Sequence, residues 1–138
     1  VLEGATERCH RLARCAKEAF DAALAVARAG NPVNLIGRAV ERTVRSAGFS
    51  VVRSLEGHGV GRSIHEPPNV PNWFNARQTD VLTDGLVITI EPLIAAGRGH
   101  VYQDDDGWTI RTSDGSMAAH FEHTLVVTAG EPVLLTAA

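Results

Sequence analysis

The chain has 138 residues, of which 44% are hydrophobic and 21% are charged, with a net charge of −3 at pH 7. This length allows one domain with a buried core. The slightly acidic balance excludes a broad basic surface for nucleic acid, and the longest apolar runs fall short of the roughly 18 residues that span a bilayer. We therefore expect neither nucleic acid nor membrane as a partner. The first residue is Val, and the N-terminus lacks the pattern of a signal peptide.

Two helices are predicted in the first third of the chain. Residues 5–29 carry apolar side chains at three- and four-residue steps, and residues 30–32 (Gly-Asn-Pro) are expected to end this helix. Asn34 is predicted to cap a second helix, and Gly48 is predicted to stop it. Two adjacent helices of this kind normally cover one face of a sheet.

Both cysteines lie in the first predicted helix. Cys9 and Cys15 are six positions apart and point in different directions, so they are not expected to bridge each other. Free thiols are typical of a reducing compartment, and we expect a cytoplasmic protein.

The rest of the chain is predicted to form strands and turns, which makes the fold class α+β with a mostly antiparallel sheet. An acidic run, Asp104 to Asp106 followed by Gly107, is predicted to form a solvated turn rather than a calcium site. The predicted strands cover residues 86–95, 109–112, 117–128 and 133–135.

Strand alternation assigns two glutamates to polar strand faces. Glu91 shares its face with Thr89, while the opposite face of that strand is aliphatic. Glu122 shares its face with His120 and Thr124, and the opposite face is mostly apolar. Each carboxylate is thus predicted to lie on a sheet whose other side faces the core.

Two carboxylates that face one place repel each other, and a divalent metal removes this repulsion. Imidazole nitrogen and carboxylate oxygen together form a suitable ligand set for such an ion. The alternative is that Glu91 and Glu122 each pair with an arginine, such as Arg62 or Arg111. The spacing of the residues alone leaves both interpretations open.

Two histidines lie in unusual backbone settings. His58 stands between two glycines, which permit close approach of a ligand or another strand. His65 precedes two prolines, which fix the chain that leaves it, and a neutral imidazole held there can donate a hydrogen bond to a substrate. His123 points away from Glu122 and is predicted to be a packed or hydrogen-bonded support.

Trp108 follows the predicted acidic turn and has two possible roles. It either covers the core as a hairpin aromatic or forms one wall of an apolar substrate pocket. Sequence alone does not decide between them.

Three segments resemble a known family, the type I methionine aminopeptidases of the pita-bread metallopeptidase fold. They are GHGVGRSIHEPP at 57–68, DGLVITIEP at 84–92 and DGWTIRTSDGSMAAHFEHTLVVT at 106–128. The metal-ligand motifs are shared with prolidases and aminopeptidase P, whereas the third segment is more specific to methionine aminopeptidases. The resemblance covers nearly the whole chain. It implies half of a pita-bread fold, with two helices packed on a curved, mostly antiparallel sheet.

The resemblance also implies an activity, the removal of N-terminal methionine from nascent proteins with a small second residue, by metal-activated water. His58, Glu91 and Glu122 would be metal ligands, with Glu122 bridging two divalent ions (Co, Mn, Fe or Zn). Glu91 would also shuttle a proton. His65 would bind the scissile peptide unit and stabilise the developing charge.

The substrate pocket and the missing ligands are implied in the same way. Trp108 and Ile64 would border the pocket for the methionine side chain, although Ile64 stands where an aromatic residue is frequent and Glu56 where Cys is frequent. The family pattern also contains two Asp ligands and a further His upstream, for which this sequence has no equivalent. Residues 1–138 are therefore expected to be the C-terminal portion of a single domain, and its N-terminal portion would supply the two Asp ligands.

Two other functions fit part of the pattern. A prolidase-like or aminopeptidase P-like peptidase would use the same ligands but prefer X-Pro substrates. A non-catalytic pita-bread module would bind peptides without metal, although such modules usually lose the ligands that are kept here.

Overall fold

A computed structural model of the protein describes residues 4–137. No helix in this part of the chain combines the length and apolar character that crossing a bilayer requires. The elements in chain order are α1 (Glu7–Leu24), α2 (Asn34–Ser46), β1 (Ser50–Val51), β2 (Gly57–Gly59), β3 (Glu66–Val70), β4 (Val87–Ile90), β5 (Leu93–Ala95), β6 (Val101–Gln103), β7 (Ile110–Thr112), β8 (Ala118–His120), β9 (His123–Val126) and β10 (Val133–Leu134).

The first helix is shorter than its apolar pattern predicts. Thr6 caps its N-terminus by accepting a hydrogen bond from the Cys9 amide, and the helix ends at Leu24. The predicted continuation to residue 29 is wrong, because the backbone there bonds to distant loops. The Ala29 amide, for example, donates to the carbonyl of Thr128 at 2.9 Å. Tertiary hydrogen bonds thus override a strong local helix pattern.

The second helix begins one residue earlier than expected. Asn34 is its first helical residue, the N-cap is Val33, and no side chain caps the helix, so the predicted Asn34 cap is wrong. The entry is held instead by a backbone bond from Val33 to the carbonyl of Asp80 at 2.9 Å. Gly48 ends the helix with φ at +79°, as predicted.

The strands form two antiparallel sheets and a hairpin, which confirms the α+β, mostly antiparallel class. The large sheet has the order β10-β9-β4-β2-β3, the small sheet has the order β1-β5-β8, and β6 pairs with β7. The two helices pack together and contact both sheets. The fully buried core includes Phe20, Ile36, Val40, Ile88, Ile90, Ile94, Leu125 and Val127.

The two long predicted strands are each divided in two, and both divisions occur at a glutamate. The chain leaves β4 at Glu91 and Pro92 and enters β5; proline has no amide donor for a continuous ladder. Likewise β8 and β9 are separated by Phe121 and Glu122. β4 pairs with β9 in the large sheet, and β5 pairs with β8 in the small sheet. The β4–β5 segment and the β8–β9 segment therefore cross between the two sheets side by side.

The acidic run forms a turn, as predicted. The Asp106 carboxylate accepts the amides of Trp108 at 2.9 Å and Thr109 at 2.7 Å, and these bonds close the β6–β7 hairpin. Hydrogen bonds from the hydroxyl and the amide of Thr109 lower the pKa of Asp106. Asp104 pairs with Arg111 across the hairpin.

Candidate metal centre

The two glutamates meet at one corner of the fold, where the β4–β5 segment and the β8–β9 segment cross between the large and the small sheet. Glu91 follows the C-terminal end of β4 and Glu122 precedes the N-terminal end of β9. Since these strands are antiparallel neighbours, the two ends lie at one edge. One oxygen of each glutamate and one nitrogen of His120 all lie within 4.8 Å of one another. The described residues thus contain a carboxylate–imidazole–carboxylate group at the corner.

His58 approaches Glu91 from the neighbouring strand. Its Nε2 lies 3.5 Å from Oε1 of Glu91. Its Nδ1 is 2.9 Å from the carbonyl oxygen of Gly59. In the tautomer that donates this bond, the lone pair of Nε2 faces the carboxylate, which is the arrangement a histidine uses when it ligates a metal.

Thr89 links His58 to Glu91 through two hydrogen bonds. Its side chain is 3% exposed. The hydroxyl accepts the His58 amide at 3.0 Å and donates to Oε1 of Glu91 at 2.9 Å. The Asn72 side chain donates to the Glu91 carbonyl at 2.9 Å. The backbone and the carboxylate of Glu91 are therefore both held in place by buried polar side chains.

The electrostatic setting of Glu91 favours a bound cation. Burial raises the pKa of the Glu91 carboxyl, and the charge of Glu122 raises this pKa further. The hydrogen bond from Thr89 lowers the pKa, as do His120 and His58. A partly buried carboxylate beside a second carboxylate is costly to ionise without a positive neighbour, and a divalent ion would supply that charge.

Three of the separations between donor atoms fit a shared ion. Nitrogen and oxygen ligands lie about 2.1 Å from a first-row divalent metal, so two ligands of one ion can be at most about 4.2 Å apart. The Nε2 atom of His120 lies 3.7 Å from Oε2 of Glu91 and 3.6 Å from Oε2 of Glu122. The separation of 3.5 Å between His58 and Glu91 also meets this limit. The residues present therefore fit a divalent metal.

His65 lies beside His58. The two imidazole rings have centroids 4.2 Å apart. They share a cavity of about 320 Å³ that Glu56 and Asn69 also line. Gly59 makes this arrangement possible, because a side chain there would collide with the carbonyl oxygen of Pro67 on the neighbouring strand.

The two residues expected to border the substrate pocket both lie on the surface. Ile64, next to His65, is 72% exposed. Trp108 follows the hairpin turn and is 87% exposed, so the interpretation that it covers the core is wrong. Neither side chain lines the cavity shared by His58 and His65.

His120 is absent from the ligand set expected from sequence. Strand alternation contained the signal, because it places His120 and Glu122 on one face. Its proximity to Glu91 had no local signal, since it depends on the pairing of β5 with β8. His123, on the opposite face from Glu122, is packed and hydrogen-bonded as predicted. Its ring centroid lies 5.3 Å from those of Phe20 and Phe121, and its Nδ1 lies 2.9 Å from the hydroxyl of Thr136.

The alternative in which Glu91 and Glu122 each pair with an arginine is not supported by the structure. Arg111 pairs with Asp104, and Arg62 is exposed. Within residues 4–137, the ion pairs of Glu91 and Glu122 involve only histidines.

Comparison with known proteins places the chain among metallopeptidases. Residues 1–129 match metallopeptidase family M24. The chain is 44% identical over 137 residues to methionine aminopeptidase 2 of Bacillus subtilis (strain 168), covering 99% of this chain and 55% of that protein. It is 40% identical over 126 residues to methionine aminopeptidase of Escherichia coli (strain K12), covering 91% and 48%.

Solved structures give the same result for the fold. The crystal structure of methionine aminopeptidase from Thermotoga maritima aligns with a TM-score of 0.93 and 37% identity, over 97% of this chain and 54% of that one. X-Pro aminopeptidase from the same organism aligns at 0.74 with 21% identity, over 99% and 33%, and shows a shared fold alone. The expected pita-bread fold is confirmed. The chain spans about half the length of the curated relatives it matches, and it belongs to metallopeptidase family M24.

Proposed function

We propose that the protein containing this chain is a metal-dependent aminopeptidase that removes N-terminal methionine from nascent proteins with a small second residue. The observation that carries the proposal is the partly buried Glu91 carboxyl, flanked by His58 on one side and by His120 and Glu122 on the other. The similarity to methionine aminopeptidases over nearly the whole chain supports the substrate class.

The residues of the corner would hold the metal. His58, Glu91 and Glu122 would be ligands, and two divalent ions (Co, Mn, Fe or Zn) are proposed. A bound divalent ion would polarise the scissile carbonyl and make water nucleophilic at neutral pH. Thr89 orients the Glu91 carboxylate for this task, because its hydroxyl bonds one carboxylate oxygen.

The remaining roles concern the substrate and its proton. Glu91 is proposed to accept a proton from water and return it to the leaving amine. His65 would donate a hydrogen bond to the scissile peptide unit, since its ring stands next to that of His58. Ile64 and Trp108 are proposed to contact the methionine side chain, for which both offer exposed apolar surface.

The domain assignment is part of the same proposal. Residues 1–138 would be the C-terminal portion of one pita-bread domain, and the N-terminal portion would contribute two Asp ligands. The half-length match to relatives supports this assignment. The free thiols of Cys9 and Cys15 support a cytoplasmic location.

The test is release of methionine from Met-Ala-Ser by the protein as it is naturally produced, after chelation and after return of Co²⁺ or Mn²⁺. Activity should require metal and fall at least about a hundredfold in Glu122→Gln. Glu131→Gln, an exposed position in the β9–β10 turn, is the matched control and should be fully active. Hydrolysis of X-Pro dipeptides in preference to Met-Ala-Ser, or peptide binding without metal or turnover, would refute the proposal.

A further inference from the structure

His120 lies at the candidate metal centre, although it is not among the ligands expected from the sequence. It ends β8 in the small sheet, whereas His58 lies on β2 in the large sheet. The two imidazoles therefore reach Glu91 from different sheets. His58 faces Oε1 at 3.5 Å and His120 faces Oε2 at 3.7 Å.

The position of His120 is fixed by the backbone on both sides. β8 pairs with β5 so that His120 lies opposite Leu93, two residues beyond Glu91. Glu122 follows His120 by two residues, and its Oε2 lies 3.6 Å from the same imidazole nitrogen. The Nε2 atom of His120 thus lies near both carboxylates. Among the described residues, Glu91 and Glu122 form ion pairs only with histidines.

We propose that His120 is a nitrogen donor to the ion held by Glu91 and Glu122, and that it shifts the metal preference of this centre. The inference rests on the proposed function, because it requires a metal at the corner. Imidazole suits zinc, iron and cobalt, whereas carboxylate and water ligands suit manganese and magnesium. A nitrogen added to an otherwise oxygen-rich group therefore favours zinc, iron or cobalt over manganese.

His120 also has the exposure expected of a ligand that can adjust to an ion. Its side chain is 41% exposed, compared with 16% for Glu91. It borders an apolar cavity of about 160 Å³ lined by Leu93, Val101, Ile110, Thr112, Ala118 and Ala119. Replacing such a half-exposed side chain leaves the buried core intact, so its effect on metal binding is separable from an effect on folding.

The experiment measures the metal itself rather than turnover. The naturally produced protein and its His120→Gln variant are loaded with Co²⁺ or Zn²⁺, and X-ray absorption spectra are used to count the imidazoles bound per ion. Competition titrations then give the affinities for Zn²⁺ and Mn²⁺. His10→Gln, on the exposed face of α1, controls for the loss of one histidine elsewhere.

We expect His120→Gln to lower the average imidazole count and to weaken Zn²⁺ binding about ten- to a hundredfold, with less than about a threefold change for Mn²⁺. His10→Gln should change neither quantity. Unchanged counts and affinities in His120→Gln, with metal still bound, would overturn the role of His120 while leaving the proposed function intact. Failure of the unaltered protein to bind any of these ions would instead refute the proposed function. Thermal unfolding in chelator checks that His120→Gln remains folded.

Discussion

Replacing Thr89 with valine tests whether the buried hydroxyl holds the metal centre in place. Valine has nearly the same shape as threonine, so Thr89→Val removes two hydrogen bonds and creates almost no cavity. The His58 amide loses its acceptor at 3.0 Å, and the Glu91 carboxylate loses its donor at 2.9 Å. The site is 3% exposed, so water does not readily replace either bond.

The expected loss follows from these two bonds. An unsatisfied buried amide costs about 1–3 kcal/mol, and a hydrogen bond to a charged group contributes about 1.5–3 kcal/mol. Allowing for partial relaxation, we expect Thr89→Val to lower the free energy of unfolding by about 2–4 kcal/mol. Metal affinity should also fall about ten- to a hundredfold, because the orientation of Glu91 is lost.

The assay is urea denaturation of the metal-free protein, followed by a metal titration of each variant. Thr89→Ser is the matched control, since it keeps the hydroxyl and loses one methyl group, at a cost of about 1 kcal/mol. Metal affinity should be nearly unchanged in Thr89→Ser. If Thr89→Val proves as stable as Thr89→Ser and binds metal equally well, the hydroxyl does not position Glu91 and the reasoning is refuted.

Three further predictions concern backbone packing and titration. Gly37→Ala should destabilise the protein by about 3 kcal/mol in urea denaturation, because the added methyl group would collide with the carbonyl of Trp73. Glu91→Gln should stabilise the metal-free protein at neutral pH. The raised pKa of Glu91 means that its favourable contribution is present below the unfolded value of 4.5 and is lost as pH rises through the folded pKa. Thr109→Val should raise the lowered pKa of Asp106 toward 3.8 in an NMR titration, because the hydroxyl bond to the carboxylate is removed.

Each of these predictions has its own contrary result. A loss in Gly37→Ala no larger than that in Ser46→Ala, at the exposed end of the same helix, would show that α2 can move away from the loop. A stability difference between Glu91→Gln and the unaltered protein that is the same at pH 4 and pH 7 would contradict the raised pKa. An unchanged Asp106 midpoint in Thr109→Val would assign the lowered pKa to the backbone amides alone.

Local sequence was sufficient to assign residues to faces. Side chains alternate along a strand with a period of two, so Glu91 could be placed with Thr89, and Glu122 opposite His123, without any tertiary information. The structure confirms both assignments, since Thr89 bonds Glu91 and His123 packs on the Phe20 ring. The segments at 57–68, 84–92 and 106–128 were likewise sufficient to indicate the family, which the comparisons confirm.

Only the tertiary structure decided where the strands break and which side chains meet at the corner. The division of two strands at Glu91 and Glu122 depends on two sheets meeting, and the contact of His120 with both carboxylates depends on how β5 pairs with β8. The early end of α1 depends on backbone bonds from Ala29 to Thr128 and from Gly30 to Leu82, far along the chain. Face alternation is a property of a few consecutive residues, whereas these features arise from pairing between segments far apart in the chain, which no local pattern encodes.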